Sequence, residues 1–232
     1  MQNVQAGIGK ESCNGENTMN AIGMLVEKAL QKVFQSFGYI DTKNPGAQQQ
    51  FKQNVISKIK KKFPGKVYDS AVVLCIGCDF DGLKADNVGP LVGSKLEQRC
   101  DDENIHVYGT MDDPIYGPDS TKRIEKIYKR HPSSLIIDVG AATSSCKNQK
   151  GCIHIDVGEN EIRRAPGQGI AKIGKLEVSP ILIHRGRKDN DRDVWAKVSE
   201  IDGYTVNRIA DITATCIETT LQEIREQGIL RA

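Results

Sequence analysis

Four aspartates occupy positions from which an α/β chain can do acid–base chemistry. Asp86 sits in ADNVGP, shortly after the apolar run AVVLCI (residues 71–76). Asp112 and Asp113 follow a second run, IHVY (105–108), and Asp138 nearly closes a third, LIIDV (135–139). Two carboxylates within hydrogen-bond reach cannot both ionise cheaply, so one keeps a proton. Such a pair can take a proton from an attacking water and give one to a leaving amine. That is the chemistry of an aspartate-dependent peptidase. Each residue also has a plainer reading. Asp86 or Asn87 can cap the helix whose first turn holds Pro90, and Asp112 and Asp113, ahead of Pro114, can form an Asp-turn. Asp138 is harder to explain structurally, because a charge at the end of an apolar run is costly unless it reaches an open rim or a partner.

The elements that would position these residues are legible as alternating strands and helices. The continuous β-branched run 71–76 reads as a strand buried on both faces. A helix follows to about Cys100, with Leu91, Val92 and Leu96 on its apolar side. A strand over 105–108, a helix over 121–130 through Ile124, Ile127 and Tyr128, and a strand over 135–139 repeat the unit. Such repetition predicts right-handed βαβ units in a largely parallel sheet. Ligands of such sheets bind beyond the carboxyl ends of the strands, so all four aspartates are expected on one rim.

Outside this centre, helical spacing runs from Thr18 to Phe37 and over Phe51, Val55, Ile56, Ile59 and Phe63, which Pro64-Gly65 stops. Cys152–Val157 and Ser179–His184 read as further strands, with a loop, RRAPGQGIAKIGK, between them. Residues 185–204 read as a polar surface excursion in which Val194, Trp195 and Val198 can dock a short helix, and a closing helix starts near Thr205. The expected architecture is a three-layer α/β/α sandwich with a mostly parallel mixed sheet. It forms a single domain over residues 18–232 behind a loose tail, residues 1–17.

Composition narrows the function. With 32 basic and 30 acidic residues the net charge is only +2, so no global field calls for nucleic acid or a membrane. The lysines of the second helix, among them Lys60, Lys61 and Lys62, read as a solvated face. No apolar run reaches the roughly 20 residues of a spanning helix and no signal-peptide core opens the chain, which points to the cytoplasm. The 7 cysteines are irregularly spaced, so reduced thiols are expected. Cys75 and Cys78 form a C-x-x-C, but no second such pair exists to complete a zinc site.

In order, VVLCIGCD, DNVGPLVG, VYGTMDDPIYG, LIIDVGA and PGQGIAK resemble the YyaC-type sporulation proteins, relatives of the germination protease that degrades small acid-soluble spore proteins. The resemblance spans about Ser70 to Lys172. It implies a phosphorylase/hydrolase-like fold shared with the hydrogenase maturation proteases, and it matches Asp86 and Asp138 to the spore protease's two essential aspartates. It also implies substrate contacts from Asp112, Asp113, Cys78, Asn87 and the loop with Pro166, Gly167, Gly169 and Lys172. Val139-Gly140-Ala141-Ala142 departs from the family's Ala-Cys-Leu-Gly after the third-strand aspartate, and Tyr116 stands where the family tends to have His. The expected partner is a peptide or a spore protein, with no organic cofactor and metal dependence left open. Two alternatives stand beside the peptidase. One is a metal-dependent maturation-type peptidase, though His154 and His184 lie on strands and read as satisfied structural residues. The other is a sporulation protein that binds a peptide or protein without cleaving it.

Overall fold

The computed structural model describes residues 38–231 apart from 78–83, 159, 164–169 and 174–175. It gives the backbone alone for 84–85, 160–163, 170–173 and 195. The expected tail and first helix, together with Cys78, Pro166, Gly167, Gly169 and the side chain of Lys172, lie outside the described residues. Numbered over the described chain, the first half comprises β1 (Tyr39–Asp41), α1 (Ala47–Lys62), β2 (Ala71–Cys75), α2 (Val88–Arg99), β3 (Ile105–Tyr108), α3 (Ser120–Arg130) and β4 (Leu135–Val139). The second half comprises β5 (Ala142–Ser144), β6 (Cys152–Val157), β7 (Asn160–Arg163), β8 (Ile170–Ile173), β9 (Leu176–His184), α4 (Asp191–Ser199) and α5 (Gly203–Glu226).

Strand β2 shows why the chain forms layers. All its side chains are buried, and successive residues point to opposite faces. Ala71, Val73 and Cys75 join one apolar cluster with Phe51 of α1, Val92 of α2 and Ile217 of α5. Val72 and Leu74 join a second with Ile124 and Ile127 of α3 and Ile136 of β4. Both faces of the strand are therefore apolar, and helices cover both. The protein is α/β, with a mixed, mostly parallel sheet in an arrangement that fits a three-layer sandwich.

The main sheet has seven strands, in the order β1-β6-β9-β4-β2-β3, with β5 beside β9. β6 alone runs against the others. Pro180 lies inside β9, where a missing N–H usually marks an irregularity. There β9 changes neighbour, from β4 at Leu176–Val178 to β5 at Ile181–His184, with a register shift between Ala142 and Thr143.

The differences from the sequence expectation have local causes. β9 begins at Leu176, three residues ahead of the expected strand, and its first residues escape an apolar reading because Glu177 and Ser179 alternate there on one face. Within the stretch expected as a loop, Ile170–Ile173 forms β8, which pairs antiparallel with β7. β1 and β5 are three residues each, too short for a period-2 pattern to register. Among the described residues, no helix is long and apolar enough to cross a membrane.

Candidate functional site

The centre of the rim is the junction after β2. The strand ends through a parallel bridge between Ile76 and Ile115. The chain returns as a 3-10 turn over Lys84–Asn87 and enters α2. Two glycines let this turn lie against the strand end. A Cβ at Gly77 would overlap the carbonyl of Asp86, and one at Gly89 would overlap the carbonyl of Ile76. Asp86, half-buried, is thereby held at the carboxyl edge of the sheet. Asn87 occupies the cap position of α2 but makes no side-chain capping bond.

Strand β4 lies directly beside β2 in parallel, with Leu74 opposite Asp138 and Cys75 opposite Val139. The loop carrying Asp86 and the end of the strand carrying Asp138 therefore open on the same edge. Asp138 is only 7% exposed. Strand alternation turns it to the face shared by Ile136, whereas Ile137 and Val139 pack on the α2 and α5 side.

Next to Asp138 the register places Glu177 of β9, and next to Glu177 it places Asp156 of β6. Three carboxylates thus follow one another across adjacent strands on one face. Glu177 accepts a hydrogen bond from Ser179 Oγ. Glu177 is inconspicuous in the sequence because it precedes the apolar run 179–184 that reads as the strand. The period-2 placement of Glu177 and Ser179 is the signal that would have found it.

Asp86 lines a cavity of about 210 Å3. The other walls are the 141–143 segment after β4, Ile183 of β9, and Val194 and Val198 of α4; Asp138 is not in the lining. Helix α4 is pinned over this cavity from both ends. Its N-terminus has a reciprocal capping box between Asn190 and Asp193. Lys197 Nζ donates to the carbonyl of His184 at 3.3 Å and pairs with Asp189. The excursion expected after His184 is therefore a wall of the rim.

The remaining candidates stand apart from this cavity. Asp113 and Asp112 follow β3 and are exposed. Asp113 Oδ2 accepts from Arg123 Nη2 at 2.6 Å, which ties the loop to α3. His154 stacks on Tyr39 with ring centroids 4.6 Å apart, and His184 Nδ1 donates to the carbonyl of Ser144 at 3.1 Å. Among the described residues, no group of three or more His, Cys, Asp or Glu side chains is arranged to hold a metal ion. Cys75 is wholly buried, and burial pushes its thiol well above the usual range. A thiol so raised is a poor nucleophile, which weighs against a redox C-x-x-C.

A model of the family described as "Protein of unknown function (DUF1256)" matches residues 39–190. The chain is 32% identical over 134 residues to the uncharacterized protein YyaC of Bacillus subtilis (strain 168), covering 56% of this chain and 60% of that relative. It thus spans about 60% of the length of the curated relative it matches. No solved structure matches it at a significant level.

Proposed function

We propose, for a chain that belongs to the DUF1256 family and is of the YyaC type, that it is a peptidase whose acid–base pair is Asp86 and Asp138. The observation that carries this reading is the pairing of β2 with β4, which opens the Asp86 loop and the Asp138 strand end on one carboxyl edge. In such a pair one carboxylate takes a proton from water as the oxygen attacks the peptide carbonyl. The other, protonated, gives its proton to the nitrogen as the C–N bond breaks. The products are a carboxylic acid, which then ionises in water, and an amine, and the pair's one proton ends on the carboxylate that acted as base.

The resemblance of the Asp86 and Asp138 motifs to the spore protease's two aspartates, a resemblance of sequence alone, favours the same assignment, along with a spore protein as substrate and a cytoplasmic, sporulation-linked setting. The finer fold assignment, to the hydrogenase maturation protease-like group, belongs with this reading. A second reading is a non-catalytic peptide-binding protein. What favours it is that Asp86 lines a cavity whose walls do not include Asp138.

The experiment that separates them is cleavage of a spore-protein extract by the purified protein, with and without chelator. Cleavage indifferent to chelator is the expected result. Loss on chelation would point to the maturation-type metal enzyme, and no cleavage across the pH range would leave the binding protein.

A further inference from the structure

We infer that the cavity beside Asp86 is a specificity pocket for one branched aliphatic side chain of a peptide, of the size of valine, leucine or isoleucine. This rests on the reading of Asp86 as an acid–base group, and it adds where the cut falls: next to an aliphatic residue.

Size is the first argument. The cavity holds about 210 Å3. A dry apolar cavity of roughly 150 Å3 accepts a benzene-sized group, whereas sites for drug-sized ligands begin at about 300 Å3. One side chain fits here and a whole cofactor does not.

The lining is the second. Ala141 and Ala142 leave the space open, and Ile183 and Val198, 5% and 7% exposed, provide packed apolar walls. Among the described residues of the walls the polar ones are Asp86 and Thr143, and none is basic. An acidic side chain would meet the Asp86 carboxylate, and a neutral polar one would lose water with little in return. A peptide N–H, by contrast, complements that carboxylate at the wall.

Rigidity is the third. α4 packs against both the 3-10 turn that carries Asp86 and β9, and its capping box and the Lys197 contacts fix it there. A wall held this way selects by shape without being ordered anew for each ligand. Val194 and Val198 lie beyond residues 39–190, the stretch matched by the family, so this wall comes from outside that stretch.

The test uses the full chain and two independent readouts. The first is binding of N-acetyl-leucinamide, with N-acetyl-glycinamide as control, followed through the methyl NMR signals of Ile183, Val194 and Val198. The leucine amide should shift them saturably and the glycine amide should not. Val194→Phe, which fills the cavity from the helix, and Ala142→Val, which narrows it from the opposite wall, should each weaken binding about 10-fold or more. The second variant covers the case in which the first does not fold. The second readout is cleavage of peptides differing at one residue, where aliphatic over glycine should be favoured by about 10- to 200-fold and Val194→Phe should erase the preference. Leucine amide binding that both variants remove supports the pocket even if no peptide is cut, which would sink the peptidase reading alone. Absent shifts, or cleavage with no aliphatic preference and no response to Val194→Phe, overturn the pocket and leave the peptidase standing.

Discussion

Gly89 decides how close α2 comes to the end of β2, and through that where Asp86 stands. A methyl group there meets the carbonyl of Ile76, a backbone atom that cannot turn aside. Gly89→Ala should therefore lower stability by about 1–3 kcal/mol, read from urea unfolding. An unchanged midpoint would mean that the junction has slack. A second residue-scale expectation concerns His131. Its Nε2 lies 2.8 Å from Tyr108 Oη, and its ring sits 4.3 Å from that of His106. Burial first, then His106 and Arg130, hold its pKa below the usual histidine value. The unfolded chain therefore binds the proton more readily, and stability falls as pH drops below about 6.5. His131→Phe should flatten that slope between pH 8 and pH 5 in urea titrations.

At the scale of elements, α4 is the short helix the sequence allowed, but its place at the rim was not legible. The stretch 185–204 is polar, and only Val194, Trp195 and Val198 hinted at a docked helix. Yet the helix walls the cavity, because Val194 and Val198 face one small depression that no periodicity could announce. Asn190→Ala removes one half of its capping box and should cost about 1 kcal/mol. Hydrogen exchange over Asp191–Ser199 should quicken while α5 stays protected. Helices α2 and α5 are joined by Lys95 and Arg99 of α2, which meet Asp211 Oδ1 at 2.9 and 3.0 Å. The Lys95 hydrogen bond above all lowers the Asp211 pKa. That contribution is present above the unfolded carboxylate value of about 3.9 and is lost as pH falls through the lower folded one. Asp211 is half exposed, so Asp211→Asn should cost less than about 1 kcal/mol. A larger loss would show the pair to be better shielded than its surface position allows.

For the whole molecule, β2 and β4 were legible because burial on both faces forces near-continuous apolar runs. The strands 105–108 and 135–139 have the bounds the sequence reading expects, and β2 ends at Cys75, one residue short of the expected 71–76, with Ile76 in a single bridge. The rim was legible only in part. Asp86 and Asp138 stand out by type and place, whereas Glu177 and the wall of α4 depend on register and on long-range packing that one chain of letters does not encode. The same burial makes a chemical prediction. Cys75, Cys152 and Cys216 are buried, and Cys100 and Cys146 are half-buried; burial raises Cys152 to about 11 and Cys216 to about 12. Iodoacetamide at pH 8 should label Cys100 and Cys146 first among the described cysteines, as read by peptide mass spectrometry. Early labelling of Cys75 would contradict its place in the central sheet. The sharpest test of function is the rate of peptide cleavage by Asp86→Asn, Asp138→Asn and the double variant. If the two carboxylates act as one unit, each single change should cost about 100- to 10,000-fold, and the double should cost little more than either. Wild-type turnover in either single variant, or losses that multiply in the double, would show that Asp86 and Asp138 are not a catalytic pair.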